Sequence, residues 1–121
     1  MPHVVLKGKI VVTDVFRKLE PFLVRSENGI LRTTNAFIDR DGKSILVESL
    51  VIEGSKKTQF FTMISGREDG IVVRICPVVE VEKSHGVKKI IAETATQLLG
   101  KFAELSTGET NLSEFLAEKS S

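Results

Sequence analysis

Three ionisable side chains, Glu80, Glu82 and His85, lie close together in the sequence at a spacing that could support chemistry. In a strand, alternation would place both carboxylates on one face about 7 Å apart, with the imidazole just beyond them. Carboxylates beside an imidazole can hold a divalent metal or share acid–base catalysis. We therefore treat all three as a candidate metal site, and Glu80 and His85 as candidate catalytic residues. The structural alternative is a solvated strand end that leads into a helix.

A single cysteine, Cys76, precedes Pro77 in the same stretch. A cysteine near a cationic residue such as Arg74 can act as a nucleophile or as a redox sensor, so Cys76 is a candidate redox residue. The alternative is a small buried apolar residue, which is the usual state of a lone cysteine in a strand. Because Pro77 has no backbone N–H, it predicts a sheet edge or a bulge at this point.

The chain opens with Met-Pro-His and then an apolar strand. Removal of Met1 would leave Pro2 with a secondary amine, which can act as a base. This start resembles the tautomerase superfamily, which uses such a proline on a short β-α-β unit. The resemblance implies that Pro2 is the catalytic base of a small enzyme. It ends after the first strand, because turn signals stand where the superfamily would have a long helix.

Neutral hydrogen-bonding side chains recur along three neighbouring predicted strands. Such groups can line a binding site, and we treat Thr34, Asn35 and Thr62 as candidate ligand-binding residues. The alternative is an ordinary threonine-rich sheet surface. The wider set comprises Thr33, Thr34, Asn35, Thr58, Gln59 and Thr62.

Hydrophobic periodicity predicts the elements that must position these residues. Alternation from Ile71 to Val81 predicts a long strand, and three- and four-residue spacing over 87–105 predicts a long helix. Ser84 is the predicted N-cap of this helix, and Thr107-Gly108 its predicted end. The first strand is predicted over Val4–Val12.

Turn signals roughly every ten residues predict an antiparallel meander in the first two thirds of the chain. Asn28-Gly29 and Asp41-Gly42 are two-residue hairpin signals. We expect an α+β fold with an antiparallel meander sheet of about five or six strands, open or barrel-like, packed against one long C-terminal helix. Its element order is similar to that of pleckstrin-homology-like barrels and START-like cavity folds. Residues 1–121 form one domain, in which 110–121 supply a short helix and a frayed tail.

Composition disfavours several classes of partner. A formal net charge of +1 provides little attraction for nucleic acid. No apolar run approaches the ~20 residues that cross a bilayer, and the first residues do not resemble a signal peptide. We therefore expect a cytoplasmic protein without a membrane or nucleic-acid partner, and we assign it no cofactor.

The predicted strand from Ile45 to Ile52 is apolar on both faces over much of its length. A sheet with one solvated face should alternate cleanly, and one helix can cover only one face. A second subunit, or the terminal segment around Phe115, would cover the other. We therefore predict a non-catalytic module that binds a small molecule or a protein and acts as a homo-oligomer through the second sheet face. The alternative is a small enzyme that uses Pro2 or the Glu80, Glu82 and His85 cluster.

Overall fold

The computed structural model of the protein describes residues 1–27 and 29–120. Strands dominate the first two thirds of the chain, and the last third is mainly helical. In chain order the elements are β1 (His3–Lys7), α1 (Val12–Lys18), β2 (Leu23–Ser26), β3 (Gly29–Ile38), β4 (Ser44–Glu53), β5 (Lys56–Arg67), β6 (Gly70–Ile75), α2 (His85–Lys101), β7 (Ser106–Thr110) and α3 (Ser113–Ser120).

The described strands form one antiparallel sheet of seven strands in the order β2-β3-β4-β5-β6-β1-β7. The α+β class and the antiparallel meander are confirmed, because β2 to β6 pair consecutively. The predicted count of five or six strands was wrong. β7 was missed because its sequence, STGET, has no apolar alternation, and it pairs with β1 at the other end of the chain.

The curled sheet packs its inner face against α2, which contacts β1, β3, β4 and β6. Alternate residues of the strands point to this face, and every third or fourth residue of α2 meets them, as the two periodicities require. Removal of this apolar surface from water is the main source of stability. The side chains with the least exposure include Val4, Leu6, Ile45, Ile64, Ile71, Val73, Ile90, Ile91 and Leu98.

Helix α2 is shorter than the predicted long C-terminal helix, and a strand follows it. It begins at His85 and ends at Lys101, several residues before the predicted end. Thr107-Gly108 lies within β7 instead, and α3 follows. Ser84 is the N-cap as predicted, since its hydroxyl oxygen accepts a hydrogen bond from Val87 N at 3.3 Å.

The predicted first strand and the predicted long strand are both shorter in the structure. β1 ends at Lys7, residues 8–11 form a connection, and Val12, the last residue of the predicted strand, begins α1. β6 ends at Ile75, so Glu80 and Glu82 do not lie on a strand. Pro77 explains this early end, because it cannot donate the next hydrogen bond of the ladder.

The β3–β4 connection is longer than a two-residue hairpin. Asp39 Oδ1 accepts hydrogen bonds from Lys43 N at 2.7 Å and from Ser44 N at 3.1 Å, and Gly42 has a φ of 69°. Asn28 lies outside the described residues, although the flanking strands β2 and β3 pair as a hairpin. Ser121, the last residue of the predicted frayed tail, also lies outside them. Every helix in the described part of the chain falls short of the length and apolar character that a membrane-spanning helix requires.

Candidate functional site

The segment between β6 and α2, residues 76–84, runs beside the first half of β5 without joining the sheet. Cys76 N donates to Phe61 O at 2.8 Å, and no later residue of this described segment makes a backbone hydrogen bond to β5. An ion pair between Glu82 and Lys56 joins the other end of the segment to the start of β5. The segment is therefore held at both ends while its middle stands apart from the strand.

This separation creates a cavity of about 530 Å³, which we call the edge groove. It lies where β5 has β4 on one side and no paired strand on the other, because the β5–β6 pairing begins only at Thr62. Four polar residues, Glu48, Ser49, Gln59 and Cys76, line it alongside apolar side chains. The apolar lining residues are Leu46, Phe60, Phe61, Val78, Val79 and Val81.

A β-bulge in β3 determines the environment of Glu48. Thr33 pairs with Ser49 and Ala36 with Val47, so that two residues, Thr34 and Asn35, oppose the single residue Glu48. Thr34 Oγ1 and Asn35 Nδ2 donate to the same carboxylate oxygen, Glu48 Oε1, at 3.2 and 2.9 Å. Two of the predicted ligand-binding residues therefore orient a carboxylate that lines the groove.

Thr62, the third predicted ligand-binding residue, is separated from Thr34 and Asn35. It is fully buried on the inner face, where its hydroxyl shares a 2.8 Å hydrogen bond with Ser49 Oγ. Ser49 Oγ also donates to Val47 O at 3.0 Å. The sheet therefore does not bring the three predicted residues together. Thr62 instead forms a buried hydrogen bond with Ser49.

The structure does not gather Glu80, Glu82 and His85 into one group. Glu82 pairs with Lys56, and the His85 ring lies 5.1 Å from the ring of Phe115. Glu80 is exposed and borders a small cavity of about 50 Å³. Within the described chain, no group of three His, Cys, Asp or Glu residues could hold a metal ion.

The N-terminus lies next to the same small cavity, since Met1, Cys76 and Glu80 all line it. Pro2 is buried, and the Met1 carbonyl oxygen lies 3.0 Å from His3 Nδ1. Cys76 is half-buried with a free thiol. The catalytic function of Pro2 and the redox function of Cys76 stay predictions.

A second cavity, of about 440 Å³, lies between α1 and the end of α2, and charged residues dominate it. Its cations are partly neutralised. Arg17 pairs with Asp14 at 3.3 Å, and Lys101 pairs with Glu20. The hydrogen bond and charge of Lys101 hold the pKa of Glu20 below its usual value. The edge groove is the better candidate because its lining is mainly apolar with few polar groups.

Sequence reasoning missed most residues of the groove. One available signal was the Val78-Val79 pair, an apolar run placed after a proline that must interrupt the ladder. Another was Glu48, the one carboxylate between Ile45 and Ile52 in a strand that is apolar on both faces over much of its length.

The chain matches no family model, no curated protein and no solved structure. Functional inference therefore rests on the edge groove and on the outer face of the sheet.

Proposed function

We propose that the protein is a non-catalytic module that binds a small, mostly apolar molecule in the edge groove. One observation carries this proposal: a cavity of about 530 Å³ has a mainly apolar lining with a few polar groups. Small-molecule sites typically have volumes of about 300–1,000 Å³ and this kind of lining. The proposal needs no reaction at the groove.

Two valines of the groove lining are unusually exposed in the free protein. Val78 is 85% exposed and Val79 is 66% exposed. A ligand that covers these side chains would remove apolar surface from water, which is worth roughly 25 cal/mol for each Å² buried. This free energy would favour binding, because both side chains are exposed to solvent in the protein without ligand.

The test is a titration with the neutral fluorescent dye phenylnaphthylamine. The chain has no Trp or Tyr, so protein fluorescence will not obscure the signal. We expect saturable binding to the wild-type protein and about tenfold weaker binding to Val79→Asp, which places a charge in the apolar lining.

Val11→Asp is the matched control, since Val11 is also apolar and 57% exposed but does not line the edge groove. Its dye affinity should equal that of the wild type. Dye binding that does not saturate, or an equal loss in both variants, would contradict the proposal.

A second candidate function, self-association, is favoured by the outer face of the sheet. An apolar row crosses β3, β4 and β5 on this face, in which Leu46 pairs with Phe37 on one side and with Met63 on the other. Phe37 is 51% exposed. Arg74 continues this row on β6, and its Nε is buried without a hydrogen-bond partner in the described chain. We propose that a second copy of the chain covers this row, where Phe37 is the most exposed side chain.

Size-exclusion chromatography with light scattering measures the molar mass of the protein in solution. Repeating it over a range of protein concentrations tests self-association. The wild type should be dimeric, Phe37→Asp should be monomeric, and Val11→Asp should remain dimeric. A wild-type protein that is monomeric at every concentration would exclude this second function and leave the groove proposal unaffected.

A further inference from the structure

Glu48 places an anionic group in the lining of a mainly apolar groove. Its side chain is half-buried, Phe61 lies directly opposite it on β5, and Leu46 lies two residues away on the same face of β4. No Lys, Arg or His nitrogen of the described residues lies within 4.0 Å of its carboxylate. A half-buried carboxylate among apolar side chains therefore lacks a cation.

The hydrogen bonds of Glu48 leave one side of the carboxylate free. Both of its donors, Thr34 Oγ1 and Asn35 Nδ2, reach Oε1. An ionised carboxylate has about four acceptor positions on its two oxygens, and no described residue donates to Oε2. Because neutral donors from the bulge hold Oε1 in place, the orientation of Oε2 is set before any ligand arrives.

From this geometry we infer that the ligand of the edge groove carries a cationic amine, which Glu48 binds through its free oxygen. The inference rests on the proposed function, because it names the chemical class of the molecule in the same groove. An ammonium group forms charge-assisted hydrogen bonds to a carboxylate, and these are stronger than neutral ones. The Phe61 ring, opposite Glu48, adds an aromatic surface of the kind that attracts cations.

The ligand therefore has two parts. An apolar body would cover Val78 and Val79, and an amine would reach the Glu48 side of the groove. An anionic head group is disfavoured at that side, since it would meet the carboxylate directly.

The test uses three probes that share one alkyl chain and differ in head group: octylamine, octanol and octanoate. Calorimetric titration of the full chain should show that octylamine binds roughly ten- to hundredfold more tightly than octanol, and that octanoate binds most weakly. The shared chain keeps the apolar contribution constant, so the difference reports the head group.

Glu48→Gln should abolish the preference for octylamine over octanol while it leaves octanol binding unchanged. Glu68→Gln, which removes an exposed carboxylate in the β5–β6 turn, should keep the preference. Phe61→Leu retains an apolar side chain without the ring and should reduce the preference in part. Phe61→Leu thus offers a second test of the inference should Glu48→Gln fail to fold.

The outcomes separate this inference from the proposed function. Equal binding of the three probes, tighter binding of octanoate, or an unchanged preference in Glu48→Gln would overturn the inference while the groove remained a binding site. If no probe binds and the neutral dye also fails to bind, the proposed function itself is wrong.

Discussion

The Glu53 carboxylate, at the end of β4, accepts a hydrogen bond from the Ser84 hydroxyl at 2.7 Å, although 31 residues separate the two in sequence. The other carboxylate oxygen accepts from Gly86 N at 3.0 Å. An anion is favourable at this position, because the first turn of a helix presents free N–H groups and a positive dipole end. The contact joins the start of α2 to the sheet and fixes one end of the segment that forms the edge groove.

Replacement of Glu53 by Gln should therefore destabilise the protein. We expect the free energy of unfolding to fall by about 1–2 kcal/mol, because the amide loses the charge interaction and can accept at only one of the two positions. Urea unfolding followed by circular dichroism measures this change. Glu68→Gln should be nearly neutral, and equal stability of the two variants would contradict the assignment.

Two glycines of α2 should respond in opposite ways to replacement by alanine. A Cβ on Gly86 would lie 2.5 Å from Val51 Cγ1 and 3.0 Å from the Glu53 carboxylate, so Gly86→Ala should cost about 1–3 kcal/mol. A Cβ on Gly100 would meet nothing within 4 Å, so Gly100→Ala should stabilise the helix by up to about 1 kcal/mol. Thermal unfolding of both variants provides the measurement. A stabilised Gly86→Ala would show that α2 does not approach β4 this closely.

Cys76 provides a direct reporter of groove occupancy. It is the only cysteine of the chain, it is half-buried, and it lines the edge groove. Saturating octylamine should slow its reaction with a thiol reagent severalfold, because the ligand would cover the sulfur. The absorbance of the released chromophore gives the rate. The same addition to urea-unfolded protein should have no effect, and an unchanged rate in the folded protein would place the ligand elsewhere.

Asp39 should make stability depend on pH in the acidic range. Hydrogen bonds from two backbone N–H groups hold the pKa of its carboxyl below the usual value. The bond from Lys43 has the larger effect and the bond from Ser44 the next. The folded state therefore favours the charged form. The resulting stability is complete above the ordinary aspartate pKa and is lost as the pH falls through the lowered pKa of the folded protein.

Melting temperatures measured from neutral to acidic pH test this dependence. The melting temperature of Asp39→Asn should fall less steeply with acidification than that of the wild type. Asp41→Asn, an exposed neighbour in the same turn, should follow the wild-type profile. A wild-type slope in Asp39→Asn would show that other carboxyl groups dominate the acid response.

The elements that could be predicted are those specified by nearby residues. Ser84 could be identified as an N-cap because the cap is local in sequence. Its hydroxyl oxygen accepts a hydrogen bond from the backbone N–H of Val87, three residues later. The meander followed from turn residues between apolar runs. The strand over Ile71–Val81 was predicted too long, because the alternation of apolar residues continues past Pro77 although the hydrogen-bond ladder cannot.

The candidate site depends on register, which a single sequence does not specify. Thr34 and Asn35 were predicted to bind a ligand, but their hydrogen bonds to Glu48 could not be predicted, because they require the bulge that places both residues opposite Glu48. The groove likewise depends on distant contacts. The chain separates from β5 after Cys76 and contacts β5 again through the ion pair between Glu82 and Lys56. The register of the whole sheet determines these contacts, and the secondary-structure propensity of neighbouring residues does not predict that register.

The position of β1 between β6 and β7 has a consequence for the order in which the protein can fold. β1 is synthesised before the other described strands, yet both of its neighbours in the sheet come from residues 70–110. The hydrogen bond from Thr110 Oγ1 to His3 O, at 2.7 Å, spans 107 residues. Contacts of such sequence separation slow folding, and this arrangement delays completion of the sheet until nearly the whole chain has been synthesised. The nascent β1 keeps both of its edges unpaired until β6 has been synthesised, and one of them until β7 follows.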